Sequence, residues 1–154
     1  MVAMVNQELV YLCQGYCWRF RGGYAVTRIK GRTVFMHNIV YLALWGFTAS
    51  DGEEIDHIDR NRLNNLDSNL RRVSYSFNRA NVGVRKNNTS GFKGVHSVLH
   101  HNRLSWEAQV MKDGRRIRKR FEFSEQGKIA AARFVNESYA ANFPGVKIPN
   151  PEVV

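Results

Sequence analysis

One polar segment, residues 54–82, constrains the fold more than any other part of this chain. It reads EIDHIDRNRLNNLDSNLRRVSYSFNRANV and is too polar to form the core of a domain. Ile55, Ile58 and Leu63 provide apolar anchors around an otherwise polar, hairpin-like loop. Ser74 is a suitable N-cap for a short helix after the loop. The segment therefore predicts the order strand, loop, strand, helix.

The residues before this segment predict a β-meander and one helix. Residues 9–35 contain four short runs rich in β-branched or aromatic side chains, with glycines at the turns: ELVYLC, YCWRF, GGYAVTRI and RTVFM. Such runs are typical of strands. From His37 to Phe47, apolar residues fill too many successive positions for one narrow stripe. We therefore expect a mostly buried helix that ends at Gly46.

Beyond residue 91, apolar and polar side chains alternate as they do in β-strands. One face of the first strand is apolar and carries Leu104, Trp106, Ala108 and Val110. The letters KDGR predict a hairpin turn at Asp113 and Gly114, after which residues 116–123 alternate again. Ser124 can cap a final helix over residues 125–142, whose apolar side chains can cover the sheet.

The stretch 83–91 has the composition of a linker. It reads GVRKNNTSG, which has no apolar period and is rich in Gly, Asn and basic residues. We therefore divide the chain into a first domain, residues 1–82, this linker, and a second domain, residues 92–154. The predicted class is α+β, with a β-meander at the start and three antiparallel strands with one helix at the end.

The formal net charge of +10 predicts a polyanionic partner. Residues 1–82 carry ten Lys and Arg against seven Asp and Glu, whereas residues 83–154 carry thirteen against six. The Lys and Arg residues lie within predicted strands rather than along one face of an amphipathic helix. This placement favours nucleic acid over a membrane surface as the partner. The longest apolar run, IVYLALWGF, is far shorter than the ~20 residues of a membrane span. No secretory signal is apparent, and we expect a soluble, cytoplasmic protein.

Cys13 and Cys17 are the only cysteines, and they predict no site. A tetrahedral zinc centre needs four ligands, and neither a second cysteine pair nor a nearby histidine completes one. In a reducing compartment, two free thiols are the simpler interpretation.

Residue types within the polar segment suit the hydrolysis of a phosphodiester. Asp56 can bind a hard divalent cation through oxygen, His57 can take a proton from water, and Asn78 can supply a neutral oxygen ligand. A lone Asp-His pair would more simply be a polar turn. Here Asn69 lies twelve residues after His57 and Asn78 twenty-one residues after it, so the pair does not stand alone.

The segment resembles the HNH endonuclease motif of phage and homing endonucleases, which have a ββα-metal core. The resemblance implies that His57 is the general base and that Asp56 and Asn78 hold a single divalent cation. Mg²⁺ is the expected cation, with Mn²⁺ as the alternative. The resemblance also implies that Asn69 braces the loop through side-chain hydrogen bonds.

Four further positions bear on this resemblance. Arg60 stands where the motif often has glycine, so the turn lacks the residue that best tolerates a positive φ. His37 matches a histidine that opens the helix before the motif, and it is either a structural cap or a residue near the scissile phosphate. We interpret Asn64 and Asn65 as ordinary turn residues. The second ring nitrogen of the base histidine needs an acceptor, which the sequence does not identify.

The second half of the chain resembles an AP2 DNA-binding domain. The letters SGFKGVHSV, WEAQV and KIAAARFVNESYAANFPG carry this resemblance. An HNH core, a KNNTSGFKGV junction and an AP2 domain together are similar to a two-domain architecture of phage-borne endonucleases, over about residues 9–147. A small sheet can enter the major groove of DNA. The expected DNA contacts are Arg71, Arg72 and Arg79 near the HNH motif and Lys93, His96, Arg103, Gln109, Arg116, Arg118 and Arg120 in the sheet.

Together these features predict a metal-dependent endonuclease that nicks or cuts double-stranded DNA, as a phage protein in the host cytoplasm. The HNH part would perform the chemistry, and the AP2-like part would position the site. The main alternative is a catalytically inactive DNA-binding regulator that keeps the HNH fold. An RNA-binding module is a third alternative, although no aromatic stacking motif of the RRM kind is present. Oligomeric state and recognition sequence stay open.

Overall fold

A computed structural model describes residues 2–112 and 114–153 of the chain. Within these residues the fold is mixed α/β, with three small antiparallel sheets and four α-helices. Contacts between Cα atoms divide the chain into two compact units, Met1–Arg79 and Ala80–Val154. No helix in the described part of the chain is long and apolar enough to cross a lipid bilayer. The assignment of a nuclease domain and a DNA-binding domain to the chain stays a prediction.

The first unit begins with a short helical segment rather than a strand. A 3₁₀ turn, Gln7–Leu9, leads directly into α1, Val10–Gln14. Leu9 and Cys13 are buried four residues apart, while Tyr11 between them is exposed. Burial therefore follows the period of a helix, and the prediction of a strand over ELVYLC is wrong.

Three short strands follow α1 and form an antiparallel sheet in the order β1-β2-β3. They are β1, Arg19–Arg21, then β2, Tyr24–Ile29, and β3, Arg32–Phe35. The predicted meander is thus present with three strands instead of four. The run YCWRF becomes a strand only from Arg19 onward, because β1 pairs with β2 over just three residues.

Helix α2, Met36–Trp45, packs into the core of the first unit. Its buried side chains recur at helical spacing and are Met36, His37, Val40 and Tyr41. Gly46 ends the helix in the left-handed conformation, with φ of 73°, and its N–H donates to the Leu42 carbonyl at 2.8 Å. The predicted helix and its end are confirmed. The expectation of a mostly buried helix is wrong, because Leu42 and Trp45 are exposed.

The polar segment folds in the predicted order of strand, loop, strand and helix. β4, Glu53–His57, pairs antiparallel with β5, Leu70–Ser74, and α3, Tyr75–Asn81, follows directly. The Ser74 hydroxyl accepts a hydrogen bond from the Phe77 N–H at 3.3 Å, as expected of an N-cap. Ile55 and Leu70 join the core cluster that includes Val40.

The second unit is a three-stranded sheet covered on one side by a long helix. β6, Val95–His100, β7, Arg103–Lys112, and β8, Arg115–Glu122, pair in that order, and α4, Glu125–Asn142, packs on them. The Ser124 side chain caps α4 by accepting from the Gly127 N–H at 3.0 Å. The core combines strand and helix residues: Val95, Ala108, Val110, Ala131, Ala132 and Val135. The predicted turn residue Asp113 lies outside the described residues.

Part of the predicted linker is folded in the second unit. Ser90 is buried, and its hydroxyl donates to the Val95 carbonyl at 2.7 Å. The Asn88 side chain accepts from the Gly91 N–H at 2.7 Å. Arg85 and its neighbours are exposed. The stretch with linker character is therefore shorter than residues 83–91 and covers its first half.

Candidate active site

The candidate site is centred on the end of β4, where Asp56 and His57 are adjacent in sequence. In the pairing of β4 with β5, Asp56 lies opposite Arg71 and His57 lies opposite Leu70. Neighbouring residues of a strand point to opposite faces, so the two side chains leave the hairpin on opposite sides. His57 is the last residue of β4, so the two sides meet at the end of this strand. Both side chains are buried, with 6% and 4% exposure.

The side of the hairpin that carries Asp56 is covered by α3. Glu54 shares that side, since it is two residues from Asp56, and its carboxylate accepts a hydrogen bond from the Asn78 amide. Arg71 donates from Nε and Nη2 to Asp56 Oδ2, at 3.0 and 2.9 Å. The Arg71 guanidinium also lies 4.7 Å from the ring centroid of Phe77 on α3. The structure therefore brings Asp56 and Asn78 to one side of the hairpin, with Glu54 and Arg71 beside them.

The oxygen atoms on this side are of the kind that bind hard cations. The Asn78 nitrogen donates to Glu54, so its side-chain oxygen points away from that carboxylate. Across residues 2–112 and 114–153, no group of three His, Cys, Asp or Glu side chains could hold a metal by itself. A carboxylate and an amide are a smaller donor set, suited to a cation that also binds water and a phosphate.

The other two arginines expected near the motif have aromatic partners and are exposed. Arg72 lies 4.8 Å from the ring centroid of Phe47 and 3.5 Å from the Glu53 carboxylate. Arg79 lies 5.9 Å from the ring centroid of Tyr75. In contrast, Arg71 is half-buried in its ion pair with the site carboxylate. Of the three arginines, Arg72 and Arg79 are thus the better placed to meet a phosphate.

His57 points into a buried cluster of aromatic rings. Its ring centroid lies 5.0 Å from that of His37, edge to face, and 6.1 Å from that of Tyr24. The Arg62 guanidinium lies 4.5 Å from the Tyr24 centroid and donates to the Gly22 carbonyl at 2.8 Å. His37 is the second residue of α2 and lies beside the candidate base. Tyr24 and Arg62, which sequence reasoning missed, fasten the loop after β4 to the β1–β2 turn.

Burial lowers the pKa of both histidines in this cluster. For His37, burial and the neighbouring charge of His57 lower the pKa to about 3. For His57, burial lowers the pKa, and this effect is partly opposed by the Asn65 hydrogen bond and the Asp56 carboxylate. Both rings are therefore neutral near pH 7. A neutral imidazole at the end of β4 can accept a proton.

Asn65 is the hydrogen-bond partner of His57, and sequence reasoning missed it. Its side-chain oxygen lies 3.3 Å from His57 Nε2, and its nitrogen donates to the Leu63 carbonyl at 3.1 Å. Asn65 is 1% exposed, so the interpretation of an ordinary turn residue is wrong. Asn64 and Asn65 are identical in type and adjacent, and only the folded loop distinguishes the buried one.

The loop between β4 and β5 is braced by side-chain hydrogen bonds. Asn69 accepts from the Asp59 N–H at 2.9 Å and donates to Asp59 Oδ1 at 2.9 Å and to the Asn64 carbonyl at 2.7 Å. Burial raises the pKa of the Asp59 carboxyl, but hydrogen bonds from Asn64, Asn61 and Asn69 lower it overall. Arg60 adopts φ of 68°, so this turn uses a positive φ without a glycine.

The open face of the second unit's sheet carries most of the expected DNA contacts. In antiparallel pairs, directly opposite residues share a face. His96, Glu107 and Arg120 form one row across the three strands, and Gln109 with Arg118 forms the next. The residues on this face, away from α4, include His96, Arg103, Gln109, Arg116, Arg118 and Arg120.

A buried carboxylate lies in the middle of this basic face. Glu107 is only 5% exposed. Its oxygen atoms lie 3.5 Å from His96 Nε2, 3.5 Å from Arg118 Nε and 3.3 Å from Arg120 Nε. The sequence analysis gave Glu107 no role. Its basic neighbours come from β6 and β8, so only the strand pairing reveals them.

Lys93 differs from the other expected DNA contacts. It precedes β6, is half-buried, and its ammonium donates to the carbonyls of Ala80 and Val82. Its ammonium also lies 4.9 Å from the ring centroid of Tyr139. The prediction that Lys93 is exposed on the sheet is therefore wrong, because the side chain is half-buried and its ammonium is hydrogen-bonded within the second unit.

Comparison with known proteins supports an HNH nuclease. The chain is 36% identical over 114 residues to a protein of Acanthamoeba polyphaga mimivirus that is named as an uncharacterized HNH endonuclease. The aligned part is 73% of this chain and 56% of that protein, so the chain spans about half the length of the relative. No family model matches the chain, and no solved structure does. The resemblance to AP2 domains stays an interpretation.

Proposed function

We propose that this protein is a metal-dependent endonuclease of the HNH type that hydrolyses phosphodiester bonds of double-stranded DNA. The observation that carries the proposal is the end of β4, with a buried neutral His57 on one side and Asp56 with Asn78 on the other. The similarity to a protein named as an HNH endonuclease supports the same activity. The AP2-like part, and a role in phage or homing biology, rest on resemblance.

In this proposal the chain's own residues divide the work of hydrolysis. His57 takes a proton from the attacking water. Asp56 and Asn78 hold a single divalent cation, Mg²⁺ with Mn²⁺ as the alternative, which when bound neutralises charge on the phosphate and on the leaving oxygen. Glu54 orients Asn78 by accepting its amide hydrogen. Asn69 keeps the loop in place.

The open face of β6–β8 is the proposed DNA platform. Its arginines are exposed and lie on adjacent strands, so they can follow a phosphate backbone or reach base edges in the major groove. Glu107 accepts from the Nε atom of Arg120 and lies near that of Arg118. Both side chains are exposed, so their guanidinium groups can also reach a ligand.

A second candidate function is a DNA-binding regulator without nuclease activity. The ion pair of Asp56 with Arg71 favours it, because the guanidinium competes with a cation for the carboxylate. An active enzyme requires that the cation displace or share this partner. The competition lowers cation affinity but does not by itself abolish binding.

Incubation of the purified protein with supercoiled plasmid separates these functions. We expect nicked or linear products with Mg²⁺ or Mn²⁺ and none with chelator. His57→Ala should reduce the rate by about 10²- to 10⁴-fold and leave DNA affinity almost unchanged. His101→Ala, an exposed histidine in the turn between β6 and β7, is the control and should cut normally. DNA binding without cleavage under any cation would support the regulator and overturn the proposed activity.

A further inference from the structure

We propose that Asn65 positions His57 by fixing its neutral tautomer, with the proton on Nε2 and the lone pair on Nδ1. The assignment of the tautomer follows from hydrogen bonding alone. The catalytic consequence rests on the proposed function, in which His57 takes a proton from water. Asn65 would then be a positioning residue, acting through the histidine rather than on the substrate.

The Leu63 backbone carbonyl sets the orientation of the Asn65 amide, because a carbonyl can only accept hydrogen bonds. Its oxygen lies 3.1 Å from the Asn65 nitrogen. The same nitrogen lies 3.4 Å from the Met36 sulfur, a weak acceptor. A flipped amide would put its oxygen against both acceptors. The nitrogen therefore faces Leu63, and the oxygen faces His57.

The backbone around Asn65 holds this arrangement in place. The Asn65 N–H donates to the Met4 carbonyl at 2.9 Å, and the Met4 N–H donates to the Leu63 carbonyl at 2.7 Å. A carbonyl oxygen has two lone pairs, so Leu63 can accept from both Met4 and Asn65. Asn65 is 1% exposed, so its amide is shielded from bulk water in the folded protein.

The tautomer of His57 follows from this orientation. The Asn65 oxygen lies 3.3 Å from His57 Nε2 and can only accept, so Nε2 must carry the proton. In the other neutral tautomer, two acceptors would face each other in a buried site, which is unfavourable. The lone pair of the neutral ring is thus on Nδ1. This nitrogen, not Nε2, is the one that receives the proton from water.

Nitrogen NMR of the ¹⁵N-labelled protein tests the assignment without any need for activity. The protonated and unprotonated nitrogens of a neutral imidazole give clearly different signals, and His57→Gln identifies the signals of His57. We expect the Nε2-protonated form in the wild type near neutral pH. An Nδ1-protonated form, or an even mixture of both, would overturn the proposal.

One substitution of Asn65 and one matched control extend the test. Asn65→Leu removes the acceptor and should give a mixture of tautomers. Asn64→Ala removes hydrogen bonds from the same loop but no contact to His57, so its tautomer should be unchanged. If Asn65→Leu also keeps the wild-type tautomer, another group fixes it. If that variant does not fold, the wild-type spectrum still decides.

The cleavage assay then separates this inference from the proposed function. Asn65→Leu should lower kcat on the order of 10- to 100-fold with an unchanged KM for DNA, as for other residues that orient a functional histidine. Asn64→Ala should retain the wild-type kcat. A protein with the expected tautomer but no nuclease activity would refute the function and leave the tautomer assignment intact. An active nuclease with the opposite tautomer would refute only the inference.

Discussion

At the scale of single residues, Arg60 has a backbone conformation that favours glycine. Its φ of 68° lies in the left-handed region, which costs a residue with a Cβ about 1–2 kcal/mol. Arg60→Gly and Arg60→Ala both remove the side chain, but only glycine relieves the backbone. We expect Arg60→Gly to be more stable than Arg60→Ala by about 1 kcal/mol, measured by urea unfolding. At positions with an ordinary φ, the alanine variant is more stable than the glycine variant. A more stable Arg60→Ala than Arg60→Gly would therefore refute the strain at this position.

His37 predicts a loss of stability in acid. Its pKa is about 3 in the folded protein and 6.5 in an unperturbed chain, so the unfolded state binds the proton more readily. The stabilising contribution of the neutral ring is complete above pH 6.5 and is lost as the pH falls from 6.5 toward 3. His37→Phe keeps an aromatic ring that does not titrate. We expect the free energy of unfolding of this variant to fall less steeply than that of the wild type over this range.

At the scale of elements, the β4–β5 hairpin and α3 share one proposed ligand set. Asp56 comes from β4 and Asn78 from α3, so removal of either oxygen should weaken cation binding without disrupting the other element. We expect Asp56→Ala and Asn78→Ala to raise the Mg²⁺ concentration needed for half-maximal cleavage. Ser76→Ala, an exposed residue of α3, is the control. Metal titrations that match the wild type for both variants would refute the ligand assignment.

The sequence predicted those elements whose pattern is local. The alternation in β7 and β8, the caps at Ser74 and Ser124, and the end of α2 at Gly46 are all set by neighbouring residues, and the structure has them. The strand assigned to ELVYLC failed because one helical turn is too short to show a period. Only contacts with the rest of the unit decide which of its residues are buried.

The candidate site was predictable in its residue types but not in its contacts. The spacing of Asp56, His57 and Asn78 identified the hairpin and helix that carry them. The sequence did not identify the acceptor for the histidine. Asn65 is buried where Met4, distant in sequence, pairs with Asn64 of the loop. The ion pair of Asp56 with Arg71 depends on strand register, which the sequence does not specify by itself.

At the scale of the whole molecule, most of the surplus positive charge belongs to residues 83–154. We expect the combined replacement of Arg116, Arg118 and Arg120 by Ala to weaken DNA binding. The slope of log affinity against log salt should fall by about 0.9 for each phosphate that the variant no longer neutralises. Nicking at low salt and high protein concentration should persist, because the residues at the end of β4 are unchanged.

A control with the same change in net charge makes this test specific to one face of the sheet. Lys112, Arg115 and Lys119 lie on the same two strands but share the face that α4 covers, by their register with β7. Their combined replacement by Ala should have a much smaller effect on affinity. If both triple variants bind DNA equally weakly, net charge rather than the open face governs DNA binding.

In the proposed function, Glu107 affects how the protein would search DNA for its site. A nuclease that searches for one target among many competing sites is slowed by nonspecific binding. The electrostatic attraction to phosphate sets the residence time at each nonspecific site. The carboxylate of Glu107 offsets positive charge at the centre of the basic face. In the proposed function, it would shorten each stay on random DNA. We expect single Glu107→Gln molecules, tracked on stretched DNA, to dwell longer at non-target positions and to reach a target more slowly.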